Sequence, residues 1–171
     1  MKKILCFILS AVVLGFFLTA CKPKVDVEKE KAAVKAVIYG ETQAWLDKDT
    51  AKFNAYYVQD KFQTRLVAQC DTSYAIHGWD KLAPVMDNIN WTGIENFKFS
   101  KDFIDIKVMG NVAWAIYKET QSYSQNGTSY KYDLLPVMVL EKISNNWKIS
   151  CLTIYVSTPP PSPPAEKKKS K

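Results

Sequence analysis

Glu41 is the residue whose position most invites chemistry. At about 100° per residue, positions 34, 38, 41 and 45 share one stripe of a helix. That places its carboxylate among Val34, Val37, Ile38 and Trp45. A carboxylate on an apolar face must find a partner or take up a proton. Two readings stand: an acid or base projecting into a pocket, or a buried Glu bonded to a nearby Tyr, Arg or backbone amide for structure alone. Arg65 is the only arginine and lies in a short extended run, as Glu41's partner or as a surface cation. His77 is the only histidine and stands just before a helix, as an acid–base group or as a capping residue. Tyr117 and Glu119 alternate with Ala113 and Ala115 along one strand face, so small residues admit a helix there while the two polar ones reach toward a pocket. Tyr132 and Asp133 are neighbours in the next strand, and only one of them can face inward. Trp45, Tyr57, Trp79, Trp91 and Tyr117 add an aromatic load suited to a pocket for a partly apolar molecule.

These side chains need elements to hold them. Helical spacing runs over 27–48. Asp49-Thr50 offers a cap for a second helix through Tyr57. Short strands are expected over 61–69 and 73–76, then a third helix opened by Gly78 and running through Ile89, with Trp79, Leu82, Met86 and Ile89 on one stripe. Pro84 fits such a helix only near its start, where missing amide donors matter least. The second half is simpler. Gly110-Asn111, Asn126-Gly127 and Asn145-Asn146 are turn dipeptides. They divide the chain into strands over 96–109, 112–123, 128–143 and 147–156, which is an antiparallel meander. Pro136 cannot donate to a ladder, so a bulge is expected there. Phe97 and Phe99 are out of phase with Ile104, Ile106 and Val108, so a second bulge or a sharp bend is expected near 100–103.

The order helix, helix, strand, helix, meander comes with local patterns. They are Ala44-Trp45-Leu46-Asp47-Lys48-Asp49, Tyr57-Val58-Gln59-Asp60 and Gly78-Trp79-Asp80-Lys81-Leu82, then Gly110-Asn111-Val112-Ala113-Trp114-Ala115, and Leu140-Glu141-Lys142 followed by Trp147-Lys148-Ile149. Over about 28–157 the chain resembles the nuclear transport factor 2-like superfamily, whose members include SnoaL-like polyketide cyclases, ketosteroid isomerase and scytalone dehydratase. The resemblance implies an α+β fold, a curved antiparallel sheet wrapped around N-terminal helices as a cone with a pocket at its open end. The isomerases of that superfamily use an aspartate base with a Tyr–Asp oxyanion pair, a trio with no residue-by-residue match here. The cyclases use a His–Asp pair or a lone Asp, and His77 and Asp133 are of those types.

The front of the chain gives an address. Met1-Lys2-Lys3, an apolar run from Ile4 to Ala20 and Leu18-Thr19-Ala20-Cys21 have the order of a secretory signal. The cysteine after small residues resembles the lipobox of bacterial lipoproteins. That implies a signal over 1–20, diacylglyceryl attachment at the Cys21 sulfur and anchorage to a membrane. If the cell is Gram-negative, Lys22 points to the outer membrane, since an aspartate there would retain the protein at the inner one. Cys6 leaves with the signal. Cys70 and Cys151 remain in a compartment that permits disulfides, either as a bridge or as two buried thiols.

After a linker over 21–26, one domain is expected over 27–157. The segment 158–171 is rich in proline and lysine and reads as an extended tail. The chain's net charge of +6 is concentrated at its two ends, so the middle is near neutral. With one arginine and no basic face, nucleic-acid binding is excluded. One histidine and no paired cysteine motif argue against a metal. No phosphate loop or Gly-x-Ser-x-Gly element is present, and no cofactor is expected. Three roles stay open. The domain binds a small, partly apolar molecule without turning it over. It is an acid–base isomerase, cyclase or dehydratase using Glu41 or His77. Or it is a homodimeric interaction module that meets its partner through Trp114 and Ile116 on the outer sheet face.

Overall fold

The computed structural model describes residues 25–69, 72–89 and 91–157. The signal segment, Cys21, Cys70 and the tail lie outside the described residues. No helix among the described residues is long and apolar enough to cross a membrane.

Helix α1 spans Val27–Leu46 and is capped by Asp26, whose side chain accepts from the Lys29 amide at 3.1 Å. Its buried stripe is Val34, Ile38, Glu41, Thr42 and Ala44. Lys48, with φ of 57°, turns the chain, and Asp49 caps helix α2, Thr50–Ala55. That helix ends two residues earlier than the sequence suggests, because Tyr57 is taken into a β-bridge. The Val58 amide donates to the Ile149 carbonyl, the Ile149 amide donates to that of Tyr56, and Tyr57 pairs with Ile149.

Strand β1 is Thr64–Ala68 and β2 is Ser73–His77. Helix α3, Trp79–Asp87, starts at Gly78, whose φ of 96° only glycine adopts cheaply. Pro84 sits inside α3, which ends three residues later and short of Ile89. The meander follows as β3 Ile94–Met109, β4 Val112–Gln125, β5 Thr128–Ile143 and β6 Asn146–Val156.

The six strands form one curved, unclosed sheet in the order β2-β1-β6-β5-β4-β3. The sheet is mixed, since β1 runs parallel to β6 and every other pair is antiparallel. The parallel pair arises because α3 lies between β2 at one edge and β3 at the other, and the meander then returns to β1.

Two register shifts bend β3, one between Glu95 and Lys98, where Asn96 has φ of 55°, and one between Phe103 and Asp105. The second leaves Ile104 exposed and puts Phe97, Phe99, Lys101, Phe103, Ile106 and Val108 in a single inward row. Pro136 makes no bulge. Instead the β4–β5 ladder has no pairs at Tyr117 and Lys118, opposite Pro136 and Leu135, and resumes in the same register. The register shift along β5 lies between Val139 and Leu140, and the extra residue belongs to β6, where Ser150 stands unpaired between Cys151 and Ile149. A proline removes one donor without adding a residue, so the ladder opens but the count is unchanged.

The core lies between α1 and one half of the concave face. Val34, Ile38, Ala113, Ala115, Leu140 and Ile149 are fully buried there in one cluster. Each large aliphatic side chain in it contributes about 1.5–3 kcal/mol of burial. The alanines of β4 let the helix approach. Glu30 pins the start of α1 to this end of the sheet, accepting from Lys142 Nζ at 2.5 Å and Trp147 Nε1 at 2.7 Å. At the other end of β6, Ser157 donates from its amide and its hydroxyl to the Asp133 carbonyl.

Candidate functional site

The half of the sheet remote from the Gly110 and Asn145 turns is not filled. A cavity of about 280 Å³ lies there, between α1, α2 and the inward faces of all strands but β3. Its wall from α1 is Glu41, Thr42 and Trp45. The strands supply Arg65, Val67, Tyr74, Tyr117, Glu119, Gln121, Tyr123, Tyr132, Leu134, Pro136, Met138, Leu152, Ile154 and Val156. Tyr74, half exposed at the edge strand, marks the way out to solvent.

Glu41 is 7 % exposed. Its Oε1 accepts from the Tyr57 hydroxyl at 2.6 Å and its Oε2 from the Thr42 hydroxyl at 3.1 Å. No Lys, Arg or His nitrogen among the described residues comes within 4 Å of it. Tyr57 is held rigidly by its β-bridge and by rings on both sides, Phe53 at 5.2 Å and Trp79 at 6.2 Å. Burial, and then the negative charge of Glu41, hold the Tyr57 phenol well above its ordinary pKa. The Arg65 guanidinium acts on the same hydroxyl in the opposite direction. Arg65 lines the cavity and touches the Met86 sulfur at 3.6 Å.

The opposite wall carries a buried ion pair. Lys101 Nζ donates to Glu119 Oε2 at 2.5 Å, and the Gln121 amide donates to Oε1 at 2.9 Å. The Lys101 side chain is only 1 % exposed and lies over the Tyr117 ring at 4.7 Å. The Tyr117 phenol is raised well above its ordinary pKa by burial first, then by the charges of Glu119 and Glu41. Toward the outside, Tyr123 stacks with Phe97, Tyr130 and Tyr132, and Trp45 meets Phe97 and Trp91 edge-on. Burial and then the contact with Tyr132 raise the Tyr123 phenol above its ordinary value.

Of the residues singled out from the sequence, Glu41, Trp45, Arg65, Tyr117 and Glu119 line the cavity. Tyr57 stands behind Glu41, and Trp79 packs on Tyr57 outside the lining. His77 ends β2 on the face opposite Tyr74. It is exposed, with Nδ1 at 2.8 Å from the Thr64 hydroxyl, and does not reach the cavity. Asp133 faces outward and accepts from Thr120 Oγ1 at 2.8 Å, while its neighbour Tyr132 faces in. Neither His77 nor Asp133 lines the cavity. Cys151 is a half-buried free thiol. Lys101, Gln121 and Tyr123 escaped the sequence reading. The signal for Lys101 was its alternation with Phe97, Phe99 and Phe103, interrupted only by a misplaced bulge.

The helices, the returning meander and the unclosed cavity together define the nuclear transport factor 2-like fold, an α+β cone. No protein-family model matches the chain, and no curated protein matches it. Solved structures do. A ketosteroid isomerase-like protein of Erwinia carotovora atroseptica superposes with a TM-score of 0.59 at 16 % identity, over 75 % of this chain and 96 % of that one. An NTF-2 like protein of unknown function from Shewanella oneidensis MR-1 gives 0.55 at 15 % identity, over 74 % and 98 %. A hexachlorocyclohexane dehydrochlorinase, LinA-type3, of Novosphingobium barchaimii LL02 gives 0.60 at 12 % identity, over 78 % and 91 %. At these identities the likeness is one of fold.

Proposed function

We propose that this is a lipid-anchored protein of the cell envelope, held at the outer membrane through Cys21, whose cone binds a small, partly apolar molecule. The observation that carries the binding role is the cavity itself. It is open, is walled by apolar side chains and by the rings of Trp45, Phe53, Tyr74, Tyr117, Tyr123 and Tyr132, and has a nearly buried carboxylate with no cation against it. Apolar pockets with a few fixed polar groups bind by enclosing an apolar body and orienting it through those groups. The test is a thermal-shift screen of the full chain in mild detergent with small aromatic alcohols, acids and amines. Binding raises the melting temperature, and Leu134→Trp, which fills the cavity, removes the rise. A screen in which no compound shifts the wild type would count against the reading. Globomycin treatment of expressing cells tests the anchor, since a lipoprotein then accumulates with its signal uncut.

A second reading is favoured by the Glu41–Tyr57 contact. Glu41 lines the open cavity and is oriented from behind by the Tyr57 phenol at 2.6 Å, which places its carboxylate to act as a base that enolises a bound carbonyl compound. The similar proteins include an isomerase-like one and a dehydrochlorinase, both names that imply proton removal. Loss of the benzylic protons of phenylacetone in deuterium oxide, followed by NMR, tests it. Glu41→Gln should return that rate to background. A third role as a homodimer rests on the convex face, where Trp114, Ile116 and Val137 stay half-buried with α1 packed on the opposite side. Sedimentation of the wild type and of Trp114→Lys reads it directly.

A further inference from the structure

Two opposite charges line the cavity without meeting. Arg65 and Glu41 both face the open space, yet no guanidinium nitrogen comes within 4 Å of the Glu41 carboxylate. Both act on one group, the Tyr57 hydroxyl, which donates to Glu41 and lies near Arg65. The two charges therefore flank the Tyr57 hydroxyl at the cavity wall. Each is short of partners. Glu41 has two hydroxyl donors for two oxygens that can together accept about four hydrogen bonds. Arg65 has five N–H donors, and its side-chain partners are the Met86 thioether and the Tyr57 hydroxyl, neither of them charged. A guanidinium in such a place suits a carboxylate, which it grips with two parallel bonds. The other buried cation, Lys101, is already neutralised by Glu119 and does not line the cavity. Arg65 is thus the one basic side chain lining this cavity among the described residues.

We propose that the cavity selects a small carboxylic acid bearing a hydroxyl or ammonium group on its α-carbon and an apolar, aromatic side chain. The carboxylate goes to Arg65 and the α-donor to Glu41. The closeness of the two protein groups sets the closeness of the two ligand groups. A donor several bonds away from the acid overshoots Glu41. The aromatic part then lies against Trp45, Tyr123, Tyr132 and Leu134, in a space of about 280 Å³ that holds a single ring with a short arm. This ligand class rests on the binding reading above.

The probes are three matched molecules titrated calorimetrically into the full chain in mild detergent. They are 3-phenyllactate, 3-phenylpropanoate without the α-hydroxyl, and 3-phenylpropane-1,2-diol without the acid. The phenyllactate is expected to bind about tenfold or more tighter than either, since each lost group strands a charged partner. Arg65→Gln should make the acid and the diol equal, and Glu41→Gln should make the lactate and the propanoate equal. Arg65→Lys, which keeps the charge but not the fork, should give an intermediate loss, and circular dichroism reports whether each variant is folded. If the diol or the propanoate binds the wild type as tightly as the lactate, this ligand class is wrong while the cavity still binds. If none of the three binds at millimolar concentration, the ligand class falls, and a thermal-shift screen equally silent removes the binding reading with it.

Discussion

The Tyr57 phenol reaches the Glu41 carboxylate at 2.6 Å from sixteen residues away in sequence. The contact exists because Tyr57 is withdrawn from the end of α2 into a bridge with β6, which aims its ring at the middle of α1. Removing the hydroxyl leaves a nearly buried carboxylate with Thr42 as its sole donor. Tyr57→Phe should therefore cost about 1–3 kcal/mol, the penalty for stranding a buried acceptor. Urea unfolding of Tyr57→Phe, Glu41→Gln and the double variant checks this, and the cycle should show coupling between the two sites. Strict additivity would mean that the contact contributes nothing to the folded state.

Lys101 and Glu119 behave as a buried pair. Lys101→Met should destabilise by about 3–5 kcal/mol, because Glu119 is left charged without its cation. Replacing both, as Lys101→Met with Glu119→Leu, should recover most of that loss, since an apolar pair of similar volume suits the same space. Denaturant midpoints of the three proteins decide the matter. A double variant no more stable than the single one would show that the pair shapes its surroundings as well as balancing charge.

Acid should reach the domain through Glu30. The bonds from Lys142 and Trp147 hold its carboxyl below the ordinary value of 4.5. A lowered carboxylate binds its proton less readily when folded than when unfolded. Its contribution is therefore complete above that ordinary value and is lost as pH falls through the folded one. Glu30→Gln should lower the urea midpoint at pH 7 and change it far less at pH 3. Equal effects at both pH values would remove the charge from the explanation.

Alkali acts in the other direction. Burial keeps the phenols of Tyr57 and Tyr117 neutral, and Tyr123 is raised by burial and by Tyr132. A raised phenol gives its full contribution below the ordinary value of 10.0 and loses it as pH climbs toward the folded one. Ultraviolet titration of the nine tyrosines should show a late-ionising group, reduced by one in Tyr57→Phe. Ionisation of all nine together near 10 would mean the cone has already opened.

Much of this arrangement was legible in the sequence for local reasons. Gly110-Asn111 and Asn126-Gly127 mark their turns because those residues accept positive φ, and helical spacing alone set Glu41 among apolar neighbours. Arg65 was not legible. Its strand is short, and its inward direction follows from parallel pairing with β6, a partner more than eighty residues away. Lys101 was hidden by a bulge assigned a few residues too early, since a shift of one position reverses every side chain beyond it. His77 and Asp133 were attractive by type alone. Their positions, one past Ile76 and one past Tyr132, turn both to the outside.

The anchoring of α1 has a geometric consequence. Glu30 ties the helix start beside the turn between β5 and β6, whereas β6 finishes at Val156, paired with Leu134 at the hollow half of the sheet. Front and back of the domain leave from opposite poles. Under the anchorage proposed at Cys21, the hollow half of the sheet is the pole farther from the helix start.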